Sequence, residues 1–292
     1  MHLPDVQDLL QATVTGGLLG GLFALTALGL SLVVGVMRLV NLVHGELVVL
    51  GAYIAFWVTG NVGGDPLVML PVVALVAAAL GAPVQRLLLQ PLARHGTEAP
   101  LLTTFALSVI AQNLLILGFT GNTRSIDRDY TRSLVHLGSV TVPTIYLISF
   151  AISAAVSLAV HLLVTRSAFG RRLRAASEDP VAASVVGVRV GGLHTITYAM
   201  AAAVAAVGGA LLGMCFSFTP TSGIEYLLTG FTVVVLGGLG SVKGTFVAGV
   251  ALGLVESWGA VVMGDGYRLF VGLLVLLVFL TVRPQGLFGR TA

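Results

Sequence analysis

Asn41, His44 and Glu46 stand together in RLVNLVHGELVVLGAYIAF, three polar side chains at the opening of an otherwise apolar run. Ionisable groups among apolar helices are costly in lipid, so they face a bundle interior or a watery path, where they can guide a solute or gate its passage. A purely structural account competes. Asn41 can cap the following helix by accepting from a free backbone amide, and Glu46 suits that helix's positive end. Two candidate ligands two residues apart do not complete a coordination shell, so no metal is expected here. Glu225 and Glu256 are the other acids close to or within apolar runs. Glu256, in GLVESWG, lies deeper and is a further candidate for the pathway, although a satisfied interior hydrogen bond would also account for it. His161, near the end of its span, is explained by snorkelling.

A second polar concentration is the stretch Thr165 to Gly191, TRSAFGRRLRAASEDPVAASVVGVRVG, which holds Arg166, Arg171, Arg172, Arg174 and Arg189 of only fifteen basic residues in the chain. A bilayer cannot hold them, so this is a loop with short helices of its own. Gly170 to Ala176 can form a basic helical turn and a half. Asp179 is then a good N-cap and Pro180 a good first helical residue. Val181 to Val186 makes a second short helix stopped by Gly187. Ala182, Val185 and Val186 give it an apolar side suited to a groove on another protein, while a basic helix lying on lipid headgroups is the alternative.

Enzymatic chemistry finds no footing. GGLGSVKGT is rich in glycine, but Lys243 follows Val242 where a phosphate loop requires glycine, and no strand precedes it. No nucleophile, base and orienting group cluster outside the apolar runs. The lone Cys215 excludes a disulfide or a cysteine metal site within one chain. A chain that moves solute uphill without a nucleotide site of its own needs energy from a partner or from ion coupling.

The elements that must position these residues are membrane helices. The chain has 292 residues, 57% of them hydrophobic and 9% charged, with a mean hydropathy of +1.01, far from the roughly 25% charged residues of soluble domains. Apolar runs at about 9 to 37, 44 to 60, 66 to 88, 99 to 119, 142 to 165, 192 to 217, 226 to 239, 244 to 262 and 267 to 283 have the spacing of α-helical spans. The seventh is too short to be secure. The fold class is therefore all-α, a polytopic bundle of eight or nine spans with broken or re-entrant helices, forming one domain over residues 1–292. The start MHLPDVQDLL lacks the positive region of a signal peptide, so the first run is expected to remain in the mature protein. Nine crossings put the N-terminus outside. Arg38, Arg86, Arg94, Arg166, Arg171, Arg172, Arg174, Arg189, Lys243, Arg283 and Arg290 then fall in the cytoplasm, against Arg124, Arg128, Arg132 and Arg268 outside, as the positive-inside rule asks. A net charge of +3 spread over such loops is no nucleic-acid surface.

The external segment Gly121 to Thr141 mixes both charge signs and reads as a solvated loop, or as a docking surface in which Arg124, Arg128 and Arg132 meet carboxylates. Glycine pairs four apart (Gly16 with Gly20, Gly17 with Gly21, Gly209 with Gly213, Gly249 with Gly253) suit close helix packing inside one bundle rather than a dimer seam. Asn41 to Tyr53 and Gly237 to Val250 look faintly alike, each a glycine-bearing polar interruption opening an apolar span, as in transporters that build their pathway from interrupted helices in corresponding halves.

These segments together resemble a family. GRRLRAASEDPVAASVVGV is similar to the coupling segment of the permeases of ABC importers of the branched-chain amino acid type, specifically LivH-like subunits. NLVHGELVVLGAY, LLTTFALSVIAQNL, VLGGLGSVKGTFVAG and the terminal RPQGLFGR follow in the family's order, from about Gly16 to Arg290. The resemblance implies that Gly170, Arg172, Arg174, Ala175, Glu178, Asp179, Ala183 and Gly187, in a cytoplasmic loop at 166–191, meet an ATPase subunit. It places Asn41, His44, Gly45 and Glu46 on the motif opening the second span. It further implies a LivM-like second permease, two ATPase subunits that bind ATP and Mg, a periplasmic solute-binding protein, and a bacterial inner membrane. The expected function is ATP-driven import of branched-chain amino acids by alternating access. Urea, short amides and small aromatic or organic acids are alternative solutes within the class, and an ion-coupled secondary transporter is the rival outside it.

Overall fold

The structure is a computed structural model that describes residues 5–93, 96, 98–283 and 286–288. Arg94 and Arg290, and part of the RPQGLFGR motif, lie outside the described residues. Among the described residues, eight helices are long and apolar enough to cross a membrane. They are α1 (Val6–Met37), α2 (His44–Val62), α3 (Leu70–Leu92), α4 (Glu98–Phe119), α6 (Thr144–Arg166), α9 (Val190–Cys215), α11 (Val242–Met263) and, after a 3₁₀ turn at Asp265–Tyr267, α12 (Arg268–Val282). Between them lie the short helices α5 (Asp129–Arg132), α7 (Ala168–Glu178) and α8 (Pro180–Val185), the apolar helix α10 (Gly223–Gly237), and one hairpin of β1 (Leu134–Leu137) with β2 (Val140–Pro143). The all-α polytopic expectation holds, with this hairpin as its small exception.

Helix α1 is the spine. Asp5 and Asp8 close a capping box at its start, and 32 residues carry it about 48 Å, past both limits of a roughly 30 Å hydrocarbon core. From Leu19 to Val33 every residue but the half-buried Phe23 is buried, which gives the helix the all-round apolarity of one enclosed by others. Its glycines set the packing against antiparallel α11. A Cβ on Gly20 would stand 2.6 Å from both the Gly249 carbonyl and the Val250 Cα, and one on Gly249 would stand 2.6 Å from the Ala24 Cβ. Gly16, Gly20, Gly249 and Gly253 therefore bring backbones together inside one bundle, as expected from their spacing, whereas Gly17 and Gly21 face the Leu254 and Phe150 side chains and Gly213 those of Phe218 and Ala52.

Two ends of the bundle can be told apart. The upper end holds Asp5, the 121–143 segment and the Asp265–Arg268 ion pair. This segment is built rather than merely solvated: Gln11 exchanges two hydrogen bonds with the Thr141 backbone, Arg128 donates to the Gly64 carbonyl and Tyr130 to Asp65. Burial and the Asp65 contact push the Tyr130 hydroxyl well above the usual phenol range. The lower end holds Arg38, α7 and α8, where Arg38 donates to the Ser177 carbonyl at 3.3 Å.

Between these ends, two crossings are broken. After Arg38, whose φ of 51° turns the chain back, residues 38–43 re-enter without helix, and α2 begins at His44 beside Thr26 and Gly29 of α1. Eleven residues separate Thr26 from Met37, so α2 starts roughly 16 Å inside the bundle. The second break is its counterpart. From the upper end, 216–218 descends in extended form, pairing with Arg124, and α10 starts at Gly223 against Gly45 before running to the lower end. The seventh crossing is thus made by a short non-helical segment, extended at 216–218 and turning at 220–222, followed by helix, and that is why its apolar run is short. Gly237 to Val250, by contrast, holds the turn at the lower end, with Gly240 against Gly35, so the counterpart of the Asn41 break is the Gly223 break.

Gly20→Leu should abolish recovery of monodisperse protein, whereas Gly118→Leu, where a Cβ meets nothing within 4 Å, should leave it unchanged. Overpacking against backbone costs about 1–3 kcal/mol or more, and fluorescence-detected size exclusion after detergent extraction checks both variants.

Candidate functional site

The two helix starts meet. A Cβ on Gly45 would overlap the Gly223 carbonyl, and one on Gly223 would stand 2.6 Å from the Glu46 carboxyl carbon. Only glycine at both positions allows the approach. Glu46, in the first turn of α2, is thereby laid against the first residue of α10, where the positive ends of two helices favour an acidic group. Its Oε1 accepts from Ser108 of α4 at 3.4 Å, and its Oε2 is buried without a partner.

His44 and Glu46 do not form an acid–base pair, because residues two apart leave a helix on opposite sides. The His44 ring points to α1, where Nε2 lies 2.8 Å from the Thr26 carbonyl, and its Nδ1 is buried and unpartnered. Asn41 does not cap α2. The N-cap residue is Val43, with no side-chain cap bond, and the Asn41 carboxamide turns instead to Tyr198 of α9 at 3.5 Å, its Nδ2 unpartnered. The re-entrant chain needs two more residues than a simple cap would allow, and only the Asn41 backbone carbonyl reaches the His44 amide, at 3.3 Å. Leu42 is held by Thr104 of α4, its amide 3.3 Å from the hydroxyl oxygen. Asn41, His44 and Glu46 thus converge with α1, α4, α9 and α10 on one junction.

Glu256 is elsewhere. It packs between α11 and α12 with its carboxyl against Gly272 and is joined to none of these groups. Residue spacing cannot reveal this separation, because it depends on which faces of α11 and α12 meet. Two residues absent from the sequence-based site belong to it. Ser108 faces Glu46, and Glu225, in the first turn of α10, is exposed at junction depth beside the exposed Ile224. An acid at the start of a short apolar segment was the available signal for Glu225; Ser108 had none. Among the described residues no three His, Cys, Asp or Glu side chains converge as a metal site.

At the lower end the expected pair of short helices is present. Ser167 caps α7 through the Gly170 amide at 3.0 Å, and Asp179 caps α8 by accepting from Val181 and Ala182 at 2.9 and 3.0 Å. A Cβ on Gly170 would overlap the Val164 carbonyl, and Arg174 donates to the Val164 and Thr165 carbonyls that end α6. Ala176 and Ala183 form a small core with Leu193, against which Phe169, Val188 and Val190 pack. Gly187 ends the motif at φ +85°. Arg172, Ala175, Glu178 and Asp179 are exposed on the outer side, and Val185 is 81% exposed with Val181, Ala182 and Val186 around it.

An enclosed α-helical bundle with two broken crossings meeting at mid-depth, and a rigid helical pair projecting from one end, defines a multi-pass membrane permease rather than an enzyme. The chain belongs to the family of permease components of branched-chain amino acid transport systems, whose model matches residues 13–280. It is 31% identical to the high-affinity branched-chain amino acid transport system permease protein BraD of Pseudomonas aeruginosa, over 99% of this chain and 98% of that protein. It is 28% identical to LivH of Escherichia coli K12, over 96% of each. The fold is also similar to PsaBC from Streptococcus pneumoniae in complex with Fab, with a TM-score of 0.51, 14% identity and coverage of 96% and 94%. As a permease component, the chain works within a transport system of several subunits.

A double-mutant cycle tests the junction. Gly223→Ala should lower the melting midpoint by several degrees, and adding Glu46→Ala should restore most of the loss because the obstructing carboxyl is gone. Gly45→Ala, which meets backbone, should not be rescued by Glu46→Ala. A coupling energy near zero in the first pair would contradict the geometry.

Proposed function

We propose that this chain is one half of the translocation pathway of an ATP-driven importer of branched-chain amino acids in a bacterial inner membrane. Family membership supports the class and the relatives' printed names support the solute. The observation that carries the mechanism is the mid-depth meeting of α2 and α10. A zwitterion needs an anionic partner for its ammonium group and hydrogen-bond donors for its carboxylate. Glu225 and Glu46 supply the first, and the free amides of two helix starts supply the second. The aliphatic side chain needs only the apolar walls.

In this reading the end bearing α7 and α8 is cytoplasmic. Arg172, Ala175, Glu178 and Asp179, with the apolar cap of Val181, Ala182 and Val185, meet an ATPase subunit. Gly170, Arg174, Ala183 and Gly187 hold the pair rigid against α6 so that it works as a lever. ATP and Mg are bound by two such partners and not by this chain. A LivM-like permease completes the pathway, and a periplasmic binding protein delivers solute to the upper end. ATP binding closes the ATPases, the levers move, and the permeases change which side the junction faces. The two states must differ in their contacts with ATPase and solute, since only differential binding shifts such an equilibrium.

Two measurements test this. Val185→Glu and Asp179→Arg should each insert normally yet lose most solute-stimulated ATP hydrolysis in proteoliposomes holding the assembled transporter; unchanged stimulation in both would remove α8 from the ATPase interface. Glu225→Gln should reduce uptake of labelled leucine by about tenfold or more, the loss of one charge-assisted hydrogen bond, while leaving ATPase association intact.

A further inference from the structure

Between α6 and α11, on the lower half of the bundle's outer wall, a cavity of about 370 Å³ is lined by Ala154, Ser157, Leu158, Phe246, Val247 and Phe288, with His161 and Lys243 at its lower end. Apart from Ser157, the lining is apolar except at that end. Down α6 come Ala154, then Ser157, whose hydroxyl is buried and unpartnered, then Leu158 and His161; on α11, Lys243 lies about one turn below Phe246 and Val247. Arg166, one turn and a half below His161, adds its field there, as Lys243 does. Neither Lys243 nor Arg166 makes an ion pair among the described residues. None of these groups touches the junction of α2 and α10.

We propose that this groove is a binding site for one anionic phospholipid of the lower leaflet. The groove has its basic groups at the leaflet surface and an apolar wall reaching into the bilayer, as the lipid has its headgroup and chains. The phosphate meets Lys243, His161 and Arg166, and an acyl chain lies along Ala154, Leu158, Phe246 and Val247. Basic pockets between membrane helices at the leaflet surface take anionic headgroups in this way. Charge complementarity favours a lipid over a partner helix. An apolar helix in the slot would fill its upper part but leave Lys243 and Arg166 without partners. Such a lipid would bridge the end of α6, which carries α7 and α8, to the start of α11.

The test uses the full chain purified with the subunits that accompany it, delipidated in detergent and titrated with phosphatidylglycerol, phosphatidylcholine or inorganic phosphate. Phosphatidylglycerol should raise the melting midpoint and be retained as one molecule in native mass spectra. Lys243→Glu should weaken retention at least about fivefold, since one basic residue at a charged leaflet is worth about that factor. Val247→Trp, at a half-exposed position of the lining, should do the same by filling the slot. Equal retention of phosphatidylcholine, an equal shift with inorganic phosphate alone, or unchanged retention in both variants would overturn the proposal. So would crosslinking of a Leu158→Cys variant to a partner polypeptide in native membranes, which would assign the groove to a protein. Because the readout is lipid retention, it stands or falls separately from leucine uptake.

Discussion

A backbone that stops being helical inside a bilayer must find its hydrogen bonds in protein, and everything near Gly45 and Gly223 follows from that requirement. Two helices begin at mid-depth, so their first amides lack intrahelical partners. Placing the two starts against each other, with the Glu46 carboxyl at the contact, lets one acidic group answer the positive ends of both. The contact works only because neither residue carries a Cβ. A pair of glycines on separate helices thereby fixes where the two broken crossings meet.

The remaining helices serve this junction. Thr26 and Gly29 of α1 receive the His44 ring, Thr104 and Ser108 of α4 reach Leu42 and Glu46, and Tyr198 of α9 meets Asn41. Helix α1 can offer those groups at mid-depth because its small residues let α11 approach from one side. Most of α4's apolar surface is exposed, by contrast: only 11% of its membrane window is buried. In the proposed assembly that surface, with Glu225 and Ile224 nearby, is where a second permease would enclose the solute.

The bundle, its span order and the two short helices of the lower end were legible in the sequence because each rests on a local rule. Apolar length marks a span, and Asp179 before Pro180 marks a helix start that the structure reproduces at 2.9 and 3.0 Å. The site was legible only in part. Asn41, His44 and Glu46 stand out as polar residues in an apolar run, but their directions do not: Asn41 has the chemistry of a cap and is used to face Tyr198 instead. Glu256 looks equivalent to Glu46 along the chain and is separated from it by the arrangement of α11 and α12. Ser108 is one hydroxyl among many. Its role exists only once α4 is laid beside α2, a tertiary fact that no periodicity encodes.

The Arg38 to Ser177 bond gives the architecture its mechanical sense. Arg38 ends α1 and opens the re-entrant segment, so a group anchored on α7 is only six residues from the start of α2. A displacement of α7 relative to α1 would pull on residues 38–43, which have no internal helix to absorb it, and the pull would arrive at Gly45 and Glu46. The junction is poorly able to yield by degrees, because the Gly45 and Gly223 backbones are already in contact. Close-packed contacts of this kind shift between discrete arrangements rather than deform continuously. In the proposed mechanism α7 and α8 are the lever, and six non-helical residues from Arg38 onward lead to a close-packed contact at mid-depth.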